Sequence, residues 1–145
     1  LQPHLKIIKN KLVLLGDVSV GKTSLGIRFS TNEFKENTQS TLGAQFITHK
    51  ITFQNYIMQF DIWDTAGQER FQSLGALYYK NSKGALVVYD ITNANSFNKA
   101  KSWIKELFEN ADPDIIITLV GNKIDMENKR QVDKEEAETF ASNNG

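Results

Sequence analysis

The 145-residue chain contains no cysteine, which excludes a disulfide framework, a thiolate metal site and a cysteine nucleophile. Its 17 Lys and Arg residues balance 17 Asp and Glu residues, so the chain has no net formal charge. Proteins that bind nucleic acid through its phosphates usually carry a basic face, and we therefore expect no nucleic-acid partner. No apolar run reaches the ~18 residues that predict a membrane-spanning helix. An apolar content of 40% indicates an ordinary globular protein.

Apolar runs alternate with amphipathic stretches along the chain, a pattern typical of strands and helices around a mostly parallel sheet. The length fits one domain, since domains usually contain about 100–200 residues. Residues 44–53 and 56–63 predict an antiparallel hairpin because only Gln54 and Asn55 separate them. Buried strands are expected at 11–15, 84–89 and 115–120, and helices at 23–32, 96–110 and 134–142. We expect a doubly wound α/β fold with helices on both faces of the sheet and one antiparallel strand.

The helices and loops carry further expectations. Leu25, Ile27 and Phe29 are expected to pack the first helix against the sheet, and Asp133 to cap the last helix. Residues 33–43 are polar and end in glycine, so they predict a mobile loop. Residues 68–81 predict a weakly periodic helix or a loop.

Residues 16–23 read GDVSVGKT and match the phosphate-loop pattern G-x-x-x-x-G-K-[ST] between a predicted strand and a predicted helix. Gly16 and Gly21 allow a close turn whose backbone N–H groups point at phosphate oxygens, next to the positive N-terminus of the helix. Lys22 adds a positive charge at the outer phosphates, and the Thr23 hydroxyl suits Mg²⁺. A glycine-rich turn with a solvated lysine is the alternative, which the flanking strand and helix disfavour. The residues predicted to bind nucleotide here are Gly16, Val18, Ser19, Val20, Gly21, Lys22, Thr23 and Ser24.

A second motif, Asn122-Lys123-Ile124-Asp125, follows the predicted strand 115–120. The Asp125 carboxylate can accept from the ring N–H and the exocyclic amine of guanine, whereas adenine offers an acceptor at the matching edge. Asn122 can bridge the base and the phosphate loop, and the Lys123 stem can cover a face of the ring. Alone the motif also fits a polar connection, but at a strand end of an α/β sheet it favours a guanine site.

The run Asp64-Thr65-Ala66-Gly67-Gln68 closes the second strand of the hairpin. Asp64 can hold Mg²⁺ through water, Gly67 can donate a backbone N–H to a γ-phosphate, and Gln68 can orient an attacking water. Thr41, in the polar loop, can supply a further hydroxyl to the metal. The alternatives are a simple turn after an edge strand and, for Thr41, a surface threonine.

In this order of motifs the chain resembles the Ras superfamily of small GTPases. Four runs are similar to the Rab family: LGAQF at 42–46, WDTAGQERF at 63–71, YYK at 78–80 and VYDIT at 88–92. STLGA at 40–44 and AKSWIKEL at 100–107 look most like its early-endosomal branch. The resemblance runs from about residue 11 to the end of the chain. It implies a P-loop fold that binds GTP or GDP with Mg²⁺.

The resemblance also implies roles for surface residues. Phe34 would pack on the guanine, and residues 34–46 and 67–80 would be the two switch segments. Phe46, Trp63 and Tyr78 match the aromatic triad through which Rab proteins contact effectors, although core packing is the alternative for such large rings. The implied partners are effector proteins, an exchange factor and a GTPase-activating protein. The resemblance further implies a monomer that lies on the cytoplasmic face of endomembranes, at the early endosome, and that is cytosolic when extracted from the membrane.

Two departures from the family pattern stand out. Val18 occupies a position where Ras relatives generally have glycine, and a branched side chain there would crowd the γ-phosphate. The family pattern continues past Gly145 through a further strand, a base-binding loop, a last helix and a prenylated cysteine tail. We therefore expect residues 1–145 to be a GTPase domain that is incomplete at its C-terminus, with the membrane anchor in the missing part.

The function expected from these observations is a switch that hydrolyses GTP in endosomal membrane trafficking. Lys22 and Gln68 are the predicted catalytic residues: the first stabilises charge and the second positions the water. One alternative is a nucleotide-gated scaffold that hydrolyses GTP slowly or not at all, which Val18 favours and Gln68 opposes. Another is a P-loop ATPase or small-molecule kinase, which Asp125 opposes.

Overall fold

The computed structural model describes residues 4–34, 45–65 and 75–145. The strands are β1 (Lys6–Gly16), β2 (Gln45–Thr52), β3 (Tyr56–Asp64), β4 (Gly84–Asp90) and β5 (Ile116–Asn122). The helices are α1 (Lys22–Thr31), α2 (Gly75–Tyr79), α3 (Ala94–Asn110) and α4 (Lys134–Asn143), with a 3₁₀ helix at Ile124–Lys129. Among the described residues, no helix has the length and apolar character needed to cross a membrane.

The strands form a five-stranded sheet in the order β2-β3-β1-β4-β5. The pairs β1–β3, β1–β4 and β4–β5 are parallel, and β2–β3 is antiparallel. The doubly wound α/β fold predicted from the sequence, with its hairpin at 45–64, is confirmed. β1 lies at the centre, where Val13, Leu14 and Leu15 are buried on both faces of the sheet.

Helices cover the two faces of the sheet. On one face α3 packs against β4 and β1, and on the other α1 packs against β1, β2 and β3, with Gly26 next to Leu14 and Ile47. The side chains of α3 and α4 buried in the main core are Phe97, Ala100, Trp103, Ile104, Leu107 and Ala137. Asn93 caps α3 by accepting a 3.2 Å hydrogen bond from Ser96 N, and Asp133 caps α4 by accepting one from Glu135 N. The predicted cap on the last helix is therefore confirmed.

The predicted extent of β1 is wrong at its start. The strand begins at Lys6 because its pairing with β3 starts at the register pair Lys6 and Tyr56. Pairing with β4 starts only at Leu12 and Gly84. Residues 6–9 are exposed, and their local sequence pattern does not indicate a strand.

The strand predicted at 115–120 is confirmed by β5, but the prediction that it is buried is wrong. β5 is an edge strand of the described sheet, and Ile116 is 71% exposed. An apolar run favours burial of a strand, but the elements that pack against the strand decide whether it is buried.

The predicted packing of Phe29 against the sheet is confirmed, because its ring contacts His49 of β2 and Phe60 of β3 although the residue is 47% exposed. Leu25 and Ile27 are half-buried, and Gly26, for which the sequence predicted no packing role, is buried at the contact with the sheet. A β-carbon at Gly26 would lie 2.8 Å from the terminal methyl of Ile47, so the end of that side chain would have to shift. Most of the loops expected at 33–43 and 68–81 lie outside the described residues, apart from α2.

We expect Leu107→Ala to lower the free energy of unfolding by about 2–5 kcal/mol, because Leu107 is fully buried on α3 and the change leaves a cavity. Urea unfolding measures the loss. Lys105→Ala, at an exposed position of the same helix, is the matched control and should change stability by less than about 0.5 kcal/mol. Equal effects of the two changes would contradict the placement of α3.

Candidate functional site

Polar residues gather at the edge of the sheet where four strands end. β1 ends at Gly16, β3 at Asp64, β4 at Asp90 and β5 at Asn122. Parallel pairing brings these carboxyl ends to the same edge. β1 has β3 on one side and β4 on the other, so the strand order reverses at this point. Ligands of open α/β sheets bind at such a reversal.

The loop between β1 and α1 closes around the side chain of Lys22, which is only 5% exposed. Its ammonium donates a 2.8 Å hydrogen bond to the Asp17 carbonyl at the start of the loop. Burial lowers the pKa of Lys22 to about 8, against the opposing influence of the Asp64 and Asp17 carboxylates. An ammonium has three donors, and an anion in the loop would accept hydrogen bonds from those directed at it and so favour the charged form further.

Two glycines make this loop possible. Gly16 has a φ of 148° and Gly21 a φ of 98°, values that side chains rarely adopt. A β-carbon on Gly16 would overlap the Val88 carbonyl, and one on Gly21 would overlap the Asn122 amide. Both glycines are therefore required by close contacts with neighbouring strands, as well as by the conformation of the turn.

Thr23 and Asp64 form the part of the site suited to a metal ion. The Thr23 hydroxyl donates a short hydrogen bond to Asp64 Oδ2. The other oxygen, Asp64 Oδ1, is buried and has no hydrogen-bond partner among residues 4–34, 45–65 and 75–145. Burial raises the pKa of Asp64, although Thr23 and Lys22 counteract it. A buried carboxylate oxygen without a partner, next to a hydroxyl, is a donor set that fits Mg²⁺ directly or through water.

The loop after β5 is tied to the phosphate loop through main-chain oxygens. Asn122 Nδ2 donates a 2.9 Å hydrogen bond to Val20 O, and Lys123 Nζ donates a 2.8 Å bond to Ser19 O. Asp125 follows in the 3₁₀ helix with an exposed side chain. The contact with the phosphate loop that the sequence predicted for Asn122 is therefore present, and its contact with a base stays a prediction. The arrangement can hold phosphates at one end and a base at the other.

The structure places Asp90 in this site, although the sequence predicted no role for it. Asp90 Oδ2 lies 2.8 Å from Lys123 Nζ, and Asp90 Oδ1 accepts hydrogen bonds from Thr92. The signal in the sequence that could have identified Asp90 is a carboxylate at the end of the apolar run GALVVYD at 84–90. Its register partner in β5 is Asn122, the first residue of the base-binding motif.

The three predicted effector-contact aromatics lie in one cluster. The rings of Phe46 and Trp63 are 5.3 Å apart, and those of Trp63 and Tyr78 are 6.5 Å apart. Phe46 is 54% exposed, while Trp63 and Tyr78 pack partly against the core. The cluster thus combines core packing with an exposed surface. Phe34, at the end of a described segment, is 64% exposed.

The structure brings together the residues of the phosphate loop, the carboxylate of Asp64 and the motif that ends in Asp125. The predicted roles of Thr41, Gly67 and Gln68 fall on residues outside those that the structure describes.

Comparison with known protein families finds a match for this chain. A family model described as the Ras family matches residues 11–145. The match includes the phosphate loop, Asp64 and the base-binding motif at 122–125.

We expect Gly21→Ala to lower the free energy of unfolding by about 2–3 kcal/mol, because it strains the backbone and displaces the Asn122 amide from Val20 O. Thermal and urea unfolding of the two proteins measure the difference. Gly145→Ala is the control: it also has a positive φ, but nothing lies within 4 Å of the added carbon. An equal loss in the control would show that close packing at Gly21 is unimportant.

Proposed function

The chain belongs to the Ras family, and we propose that it is a molecular switch that binds GTP and GDP and hydrolyses GTP to GDP and phosphate. The observation that carries the proposal is the hydrogen-bonded contact between the loop after β5 and the phosphate loop. Asn122 and Lys123 of the base-binding motif bond to the carbonyls of Val20 and Ser19, within the loop that encloses Lys22. A ligand spanning this junction has a base at one end and phosphates at the other.

The phosphates would be bound by the backbone N–H groups of the loop, by the N-terminus of α1 and by Lys22. The ammonium of Lys22 is held in place by Asp17 O, so it stabilises charge on the outer phosphates without rearrangement. Thr23 and Asp64 would hold Mg²⁺, which when bound supplies positive charge beside the β- and γ-phosphates. The two residues already share a hydrogen bond, so their oxygens are close together.

Hydrolysis proceeds by in-line attack of a water oxygen on the γ-phosphorus. The bond to the β–γ bridging oxygen breaks, and the negative charge that develops on that oxygen is stabilised by Lys22 and the loop N–H groups. Gln68 is proposed to orient the water. Loss of phosphate would remove the contacts that we propose for Thr41 and Gly67, and so release the two switch segments.

The base is proposed to be guanine because of Asp125. Its carboxylate accepts from the two adjacent donors of guanine, and adenine would leave it unpaired. A site built for such hydrogen bonds rejects the wrong base strongly, since the desolvated group finds no other partner. A P-loop ATPase or kinase is the competing proposal, and preference for ATP over GTP in a binding competition would favour it.

We expect Asp125→Asn to reduce GDP affinity by about a hundredfold or more and to increase relative affinity for xanthosine diphosphate. Xanthine has a carbonyl where guanine has an amine, so the new amide N–H has an acceptor there. Isothermal titration with GDP, XDP and ADP measures the change. Asp133→Asn, at the cap of α4 away from the site, should leave all three affinities unchanged. GDP binding that is insensitive to Asp125→Asn would exclude this role.

We propose further that the protein acts as a Rab-type switch in vesicle trafficking at the early endosome. Supporting this are the Rab-like runs at 63–71 and 88–92 and the cluster of Phe46, Trp63 and Tyr78, whose exposed ring is suited to an effector. The same proposal includes an exchange factor and a GTPase-activating protein as partners. It also includes attachment to the cytoplasmic face of the membrane through a lipid anchor.

A slowly hydrolysing, nucleotide-gated scaffold is the second candidate function, and Val18 favours it. Val18 lies in the phosphate loop with an exposed, branched side chain. A side chain there would crowd the γ-phosphate, the attacking water and any arginine supplied by a partner.

We expect Val18→Gly to hydrolyse GTP about ten- to a hundredfold faster than the natural chain, because misplacement of reacting groups by about 1 Å has effects of that size. Single-turnover hydrolysis, with and without an activating protein, measures the rate. Val18→Ala should give an intermediate rate, and GDP affinity should stay constant across the series. Equal rates in all three proteins would remove crowding by Val18 as an explanation.

A further inference from the structure

We propose that Asp90 is a positioning residue for the guanine nucleotide, which it retains by holding Lys123 between the base-binding motif and the phosphate loop. The inference rests on the proposed function, since it concerns retention of the same ligand. Asp90 need not touch the nucleotide, so its role would be exercised through Lys123.

The Asp90 carboxylate is buried and fully engaged. Its Oδ2 atom lies 2.8 Å from Lys123 Nζ, and its Oδ1 atom accepts bonds of 2.8 Å from Thr92 N and 2.6 Å from Thr92 Oγ1. Burial alone would raise the pKa of Asp90, but the hydrogen bonds from Lys123 and Thr92 hold it below its ordinary value. The group is therefore an anion at neutral pH, with its rotamer fixed by Thr92.

The backbone of Asp90 is also anchored. Asp90 N donates a 2.9 Å bond to Ser96 Oγ, whose one hydroxyl proton lies within reach of Asn93 O at 2.7 Å and Asp90 O at 3.1 Å. Ser96 is buried in the first turn of α3. The carboxylate therefore lies at the end of β4, where its backbone is held by buried Ser96 of α3, while the lysine that it binds lies in a loop.

Lys123 connects two strained backbone positions. Its own φ is 71°, and Ser19, whose carbonyl accepts a 2.8 Å bond from Lys123 Nζ, has a φ of 64°. Such conformations cost free energy in residues other than glycine and persist only where the surroundings hold them. The path Asp90–Lys123–Ser19 thus fixes the base-binding motif and the phosphate loop relative to each other.

A lysine side chain needs a partner to occupy one position. Its stem has four rotatable bonds and its ammonium is strongly hydrated, so a single carbonyl holds it weakly. A buried carboxylate adds a charge-assisted bond and fixes the stem before the nucleotide arrives. Because the stem is where a face of the base would lie, losing this anchor should mainly accelerate nucleotide release.

The experiment measures dissociation of fluorescent GDP in the presence of excess unlabelled GDP. We expect Asp90→Asn, which keeps the size of the side chain and an acceptor for Thr92, to release GDP about tenfold faster. Thr92→Val is the matched control: it removes a hydroxyl from the same carboxylate but leaves the ion pair with Lys123. It should change the rate by less than about threefold.

A double-mutant cycle separates positioning from a general loss of structure. If Asp90 acts through Lys123, Asp90→Asn should have little further effect on GDP affinity in a Lys123→Met background. The ratio of GDP to inosine diphosphate affinity should also stay constant in Asp90→Asn, because inosine lacks only the amine assigned to Asp125. The melting temperature of each variant is measured alongside.

The outcomes discriminate between the two proposals. An unchanged GDP release rate in Asp90→Asn, or the same acceleration with and without Lys123, overturns the positioning role while the guanine-nucleotide function stands. A changed GDP-to-inosine ratio also overturns it, since that result would place the effect at Asp125. Failure of the natural chain to retain GDP would overturn the proposed function itself, together with this inference.

Discussion

The site depends on burying the ammonium of Lys22 inside a turn of backbone. A buried lysine loses hydration, and here the loss is strong enough to lower the pKa of Lys22 to about 8. The compensation comes from the Asp17 carbonyl and from the nearby charge of Asp64. The loop also has no room for β-carbons at Gly16 and Gly21, because the Val88 carbonyl of β4 and the Asn122 amide of β5 lie against them. The glycines of the motif are therefore required by neighbours on two other strands, and its lysine is held inside the turn that they allow.

The same loop determines how the rest of the site is assembled. Its carbonyls at Ser19 and Val20 point outward and accept from Lys123 and Asn122, so the base-binding residues are attached to the element that binds phosphates. Asp90 then ties that attachment to α3 through Ser96. The residues proposed to bind the base and those proposed to bind the phosphates thus form one connected network of hydrogen bonds.

The sequence could predict the fold class and the motifs of the site, since both depend on local patterns. Apolar strands ending in polar motifs place those motifs at one edge of a parallel sheet, whatever the details of packing. The errors involve partners distant in sequence: β1 starts at Lys6 because Tyr56 pairs with it, and Ile116 is exposed because of its place in the sheet. Asp90 was missed for the same reason, since its importance comes from Lys123, 33 positions later.

The end of β3 shows how one strand can serve two surfaces. Successive side chains of a strand point to opposite faces, so Trp63 and Asp64 are directed differently although they are neighbours. Asp64 turns to Thr23 in the site, while Trp63 packs beside Phe46, its register partner in β2, and Tyr78 of α2. Thr65 then fastens the strand end to β1 by donating a 3.0 Å hydrogen bond to Leu14 O. Asp64 and Trp63 are neighbours on one backbone, so a single peptide bond joins the candidate site to the aromatic cluster, and Thr65 holds that end of the strand against β1.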